Sequence, residues 1–225
     1  MALYLLMALT DSVVVLVAPA WVSYPSQVTL AGKRSIVIQT TYEDGWKLTP
    51  HSLTQAVERQ AQPYENKLVI FTNPGNPTGQ VYTAEELREL AEVFRKYKMI
   101  VVSDEIYSYL TYDEDFVSLS KFYPEGTVIT TGLSKWASGG GWRTGYAMFP
   151  PELSFLRNLL GSAASHTFTC APVPQQCAVA EYFNNHEACA EYMKHALGSY
   201  TLSAYSVAGK IAYCSTKAII ILLLL

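Results

Sequence analysis

Short apolar, β-branched runs alternate with longer stretches of helical period along this 225-residue chain. That alternation constrains the fold more than any other feature. The runs at 13–17, 35–39, 67–71, 99–102, 128–131 and 146–149 read as strands. The first is preceded by "MALYLLMALT", read as the end of a helix, and followed by a loop and helix at 21–30. After the third run comes "YTAEELRELAEVFRKYK", where Thr83 with Glu86 three residues on makes a capping box. Leu87, Leu90, Ala91 and Phe94 then fall on one helical face. From Pro151 to about Ala196 the pattern is helical.

Strands alternating with helices predict an α/β fold, a mostly parallel sheet with helices on both faces. In such sheets ligands bind beyond the carboxyl ends of the strands. The unusual polar segments stand at those ends: "TNPGNPTG" after the third strand, "SDEIY" after the fourth and "GLSK" after the fifth. Three loops can therefore meet in one crevice.

Composition narrows the class of ligand. Half the residues are hydrophobic and 16% are charged, which suits a packed core. Lysine and arginine number 16 against 19 acidic residues, and no basic block stands out, which argues against nucleic acid. Cys170, Cys177, Cys189 and Cys214 form no C-x-x-C pair and read as reduced, buried thiols of an intracellular, cytoplasmic protein. His186, Glu187, Cys189 and His195 cluster without metal-site spacing and read as ordinary helix residues. The apolar N-terminus lacks a basic flank and is split by Asp11 and Ser12, and "AIIILLLL" at the C-terminus is too short to span a bilayer. No membrane partner is expected.

Each polar residue at a strand end has an ordinary reading and a sharper one. Lys135 is either a surface lysine or an amine that forms a Schiff base with a carbonyl substrate or with pyridoxal phosphate. Arg143, beyond Gly139, Gly140 and Gly141, is either a surface ion-pair residue or a bidentate phosphate ligand. Asp104 either caps a turn or holds a proton on a heteroaromatic nitrogen, and Tyr107 can share its space. Asn76 sits in a loop stiffened by two X-Pro bonds and can donate to a ligand oxygen. Trp21 is either a core residue or a stacking platform for a planar ring.

In order, "APAWVSYPSQVTLAG", "NPGNPTG", "SDEIY" and "SK" followed by "GWRTGY" resemble the class I/II aminotransferases, pyridoxal-phosphate enzymes of the aspartate aminotransferase fold. The resemblance covers roughly Ala2 to Ala196. It implies that Lys135 binds the cofactor covalently and moves the substrate proton, and that Asp104 pairs with the pyridine nitrogen. It implies that Tyr107 and Asn76 bind the ring oxygen, Trp21 stacks on the ring, Arg143 binds the phosphate and Ser134 touches it. The implied reaction moves an amino group between an amino acid and a 2-oxo acid, in a protein that is a homodimer in full-length relatives.

Relative to the resembled family, the chain is expected to be shortened at both ends. On this reading residues 1–196 form a partial cofactor-binding domain. Residues 197–225 form a non-matching apolar tail in place of a smaller domain, and activity alone is weak or absent. Two other readings stay open: a lyase or synthase on the same scaffold, and a non-catalytic isoform that acts only as a binding partner.

Overall fold

The computed structural model describes residues 2–59, 66–112 and 115–208. Among the described residues six strands form one sheet: β1 (Val13–Ala18), β2 (Ser35–Gln39), β3 (Lys67–Thr72), β4 (Ile100–Asp104), β5 (Thr127–Gly132) and β6 (Gly145–Met148). Their order is β2-β1-β3-β4-β5-β6. All neighbours are parallel except β5 and β6, which are antiparallel. The expected α/β class with a mostly parallel sheet is therefore observed. Each of the six expected strands is present to within a residue or two.

The helices are α1 (Ala2–Leu9), α2 (Ser23–Leu30), α3 (Pro50–Glu58), α4 (Ala84–Lys96), α5 (Ser154–Thr167), α6 (Val173–Asn184) and α7 (His186–Ala208). They cover both faces of the sheet, because side chains alternate along each strand. Val13, Val15, Val69, Phe71 and Val101 pack with α3 and α4. Val14, Leu16, Leu68, Ile70 and Val102 pack on the other face with α1, α2 and α5. Strands buried on both sides need no polar alternation, which is why they read as continuous apolar runs.

The capping box of α4 is formed in full. Glu86 N donates to Thr83 Oγ1, and Thr83 N donates to the Glu86 carboxylate. Leu87, Leu90, Ala91 and Phe94 are all buried, as their spacing requires. Helix α3 was not expected from the sequence. It starts with the same device: Thr49 caps it, Ser52 closes the box, and Pro50 opens the first turn. The helical stretch from Pro151 is three helices, and α7 runs without a break through residue 196 to Ala208. Most of the expected apolar tail, residues 209–225, lies outside the described residues. Among the described residues, no helix is long and apolar enough to cross a membrane.

Because β1 lies between β2 and β3, the chain winds outward in both directions from it. Crevices form at such a reversal, outside the carboxyl ends of the strands. That places the segment after β1 opposite the segment after β3.

Candidate active site

A pocket opens at this reversal, lined by Pro19, Ala20, Tyr24, Thr72, Asn76 and Gln80 among others. The loop after β3 is tied down at its root. Asn73 is buried; its backbone N–H donates to Asp104 O, and its side-chain oxygen accepts from Tyr82 N. Gly75 N donates to Gln80 O, and Gly79 N returns to Gly75 O, closing the turn. Gly79 has φ +70°, a conformation open to glycine at little cost. Asn76 is thereby held so that its Nδ2 donates to Tyr107 Oη, 3.4 Å away.

Asp104 is the last residue of β4 and register partner of Thr72 and Thr130. Its Oδ2 accepts from Tyr24 Oη at 2.7 Å, and its Oδ1 accepts from Ile106 N at 3.2 Å. Burial pushes its carboxyl above the usual range. The Tyr24 hydroxyl, the Ile106 N–H and the charge of Lys135 act against that rise. Burial and the Asp104 charge raise the phenols of Tyr24 and Tyr107, so both stay protonated donors at neutral pH.

Lys135 follows β5 in a tight double turn, where Ser138 N donates to Lys135 O and Gly139 N to Leu133 O. The next residue, Trp136, is buried in a small cluster with Leu110, Leu133 and Met193 and anchors the turn. Lys135 Nζ lies 5.5 Å from the centre of the Tyr107 ring. Gly132 and Gly145 pair where β5 meets β6, and a Cβ at Gly132 would come within 2.8 Å of Thr144 O.

Of the seven residues singled out in the sequence, the structure groups Asp104, Tyr107, Asn76 and Lys135 through these contacts. Trp21 is joined indirectly: its ring meets Tyr24 edge-on at 5.4 Å and is 42% exposed. Ser134 stands beside Lys135, half-buried. Arg143 is not brought into this group. It is exposed, has φ +54°, and its Nη1 donates to Gly140 O at 2.7 Å, so the guanidinium folds back on its own loop.

Two residues of the site were missed. Tyr24 lies three positions after Trp21 in "AWVSYP", where Tyr24 N donates to Trp21 O; that spacing was the available signal. Glu105, 5% exposed, accepts from Ser103 and Ser118, and burial raises its carboxyl.

The donor set suits pyridoxal phosphate at its ring. An ionised carboxylate offers about four lone-pair sites. Asp104 uses two of them, which leaves acceptors for a protonated ring nitrogen. Asn76 and Tyr107 offer donors for a ring oxygen, and the amine of Lys135 is close by.

Comparison with known proteins gives the same direction. The family model for aminotransferase class I and II matches residues 1–201. Aspartate aminotransferase of Geobacillus stearothermophilus is 39% identical over 173 residues, 75% of this chain and 42% of that protein. An aspartate/prephenate aminotransferase of Thermus thermophilus is 33% identical over 190 residues, 84% of this chain and 47% of its own length. Among solved structures, aspartate aminotransferase from Thermus thermophilus with maleate superposes with a TM-score of 0.80 at 30% identity. The aligned part covers 92% of this chain and 55% of that one. The chain thus spans about half the length of the curated relatives it matches.

Proposed function

Because the chain belongs to the class I and II aminotransferases, whose aspartate aminotransferase type uses pyridoxal 5'-phosphate, we propose that it transfers an amino group between an amino acid and a 2-oxo acid. The observation that carries this reading is the half-buried Asp104 carboxylate at the end of β4, with Tyr107 in the turn that follows, hydrogen-bonded to Asn76, and with the charge of Lys135 acting on the carboxylate. We assign 1–196 to the cofactor-binding domain.

Pyridoxal phosphate, when bound, supplies an electron sink for the bond that breaks at the substrate's Cα. Asp104 holds a proton on the ring nitrogen, because a buried anion favours the protonated base. Tyr107 Oη and Asn76 Nδ2 donate to the ring oxygen. Trp21 covers a ring face. Ser134 and Arg143 serve the phosphate, which requires Arg143 to exchange the Gly140 carbonyl for an anion. Lys135 Nζ would hold the cofactor and, once the substrate's amine has displaced it as a free amine, would serve as the general base for the proton at the substrate's Cα.

The test is to add pyridoxal phosphate to the purified chain, reduce with borohydride and map the modified peptide by mass spectrometry. A stable adduct on Lys135 that is lost in Lys135→Ala is the expected result. No adduct on Lys135 overturns the assignment. Aspartate with 2-oxoglutarate is the first substrate pair to assay, since the Geobacillus and Thermus relatives are named for aspartate.

A second copy of the chain is the proposed partner. The exposed Phe155, Leu159, Phe168 and Phe183 on and beside α5 and α6 support it. A monomeric mass by light scattering would refute it. The proposed compartment is the cytoplasm, in keeping with the free thiols of Cys170, Cys177 and Cys189, which are exposed or half-buried and not buried as the sequence reading expected. Recovery in an organelle fraction would refute that.

A further inference from the structure

Tyr24 is 3% exposed and stands in the first turn of α2. Its Oη is 2.7 Å from Asp104 Oδ2 and 3.0 Å from Thr72 Oγ1. An ionised carboxylate only accepts, so the single hydrogen of the phenol goes to Asp104. The Tyr24 oxygen is then left as an acceptor, and the Thr72 hydroxyl must be the donor in the second contact. The three groups form a one-way chain, Thr72 to Tyr24 to Asp104, linking the end of β3, the start of α2 and the end of β4. A hydroxyl that receives a hydrogen bond donates more strongly.

The directed contact adds to that of Ile106 N on the other carboxylate oxygen. Donors from two different segments thus fix the Asp104 carboxylate. The titratable groups around it are Tyr24, Tyr107, Glu105 and Lys135, of which Lys135 alone is cationic. Burial disfavours the anion, and hydrogen bonds to the charged form favour it. The phenol of Tyr24 is the first of these opposing influences, ahead of the Ile106 N–H and Lys135.

We propose that Tyr24, oriented by Thr72, is a positioning residue that holds Asp104 as an ionised acceptor for a protonated ring nitrogen. This rests on the cofactor reading of the site above, but it makes a separate statement about a residue that touches the carboxylate and not the reacting atoms. It also gives the Tyr24 hydroxyl, bonded to both Asp104 and Thr72, a use beyond packing.

The experiment follows Asp104 itself. The full chain is labelled with 13C at the aspartate carboxyl, and the Asp104 signal is assigned by its loss in Asp104→Asn. It is titrated without cofactor in the wild type, Tyr24→Phe, Thr72→Val and Thr72→Ser. Asp104 should titrate at a higher pH in Tyr24→Phe and move less far in the same direction in Thr72→Val. It should return to the wild-type position in Thr72→Ser, which keeps the hydroxyl. With pyridoxal phosphate added, Tyr24→Phe should raise Kd roughly tenfold, the loss of one hydrogen bond to a charged group. The pH at which the bound cofactor's visible absorbance changes should move with it.

An Asp104 titration unchanged in a folded Tyr24→Phe protein overturns the proposal. Should that variant fail to fold, an unchanged titration in Thr72→Val overturns it equally. If no variant takes up pyridoxal phosphate yet Asp104 still shifts, the hold of Tyr24 on Asp104 is supported and the proposed function falls.

Discussion

The two sides of the site are built differently. On the β4 side, the half-buried Asp104 is bound by donors from α2 and from its own turn, and the Asn76 loop is pinned to the same strand end. On the β5–β6 side, Arg143 is exposed, left-handed in backbone and, among the described residues, its guanidinium is bonded to the carbonyl of Gly140 three residues back. A carboxylate taken out of water must be satisfied by the fold itself. A guanidinium in water has no such need and can wait for an anion. The first side is therefore organised in advance, and on the proposed reading the second would be completed by the cofactor's phosphate.

Asp104→Asn should break the contrast most strongly. Affinity for pyridoxal phosphate should fall roughly a hundredfold, as expected when one member of a buried charge pair is removed. Stability of the free protein should move the other way. Burial raises the folded-state pKa of Asp104 above its unfolded value. Its contribution is therefore fully present below the unfolded pKa and is lost as pH rises through the folded one. Asp104→Asn should abolish that decline, measurable by urea unfolding across the acid range. A steeper decline in the variant would show that the site is not strained by its own anion.

Arg143→Ala should have a smaller effect, since the ring side of the site remains intact. Cofactor affinity should drop roughly tenfold, the scale of one charged hydrogen-bonding group, while the free protein keeps its stability. Arg143→Gly should lose the same affinity but gain up to about 1 kcal/mol of stability, because glycine accepts φ +54° without strain. Equal stability in the two variants would mean the loop carries no backbone cost.

The same division decides how much was legible in the sequence. The inner strands β1, β3 and β4 could be read because both their faces are buried, so each is a dense apolar run such as Val13–Ala18, while β2 at the edge alternates exposed and buried residues. The α4 cap could be read because Thr83 and Glu86 are three residues apart. Asp104, Lys135 and Asn76 stood out because polar residues at the ends of such runs are conspicuous. Tyr24 was hidden: its partner is 80 residues away in sequence, and its place three residues after Trp21 was the one local hint. Helix α3 was missed although Thr49, Pro50 and the Leu53–Val57 pair carry its signal, because its apolar face is only two residues long. The antiparallel turn of β6 depends on the glycine-rich return between Gly132 and Gly145, whose path is not periodic.

The mildest test compares Asp104 with a carboxylate of ordinary structural use. Glu86 caps α4 and binds Lys47 Nζ at 2.8 Å, tying the segment before α3 to the helix. Burial would raise its pKa, but the hydrogen bonds from Lys47 and Thr83 outweigh that and lower it. Its sign is thus opposite to that of Asp104. The stabilisation is present above the unfolded carboxyl value and is lost as pH falls through the depressed folded value. Glu86 is 39% exposed, so screening by water limits the pair to about 0.5–1 kcal/mol. Lys47→Ala should lose that much at neutral pH, less in high salt, and little at pH values where Glu86 is protonated. A loss that persists unchanged in acid would mean that Lys47 acts through its packing near Tyr82 and not through its charge.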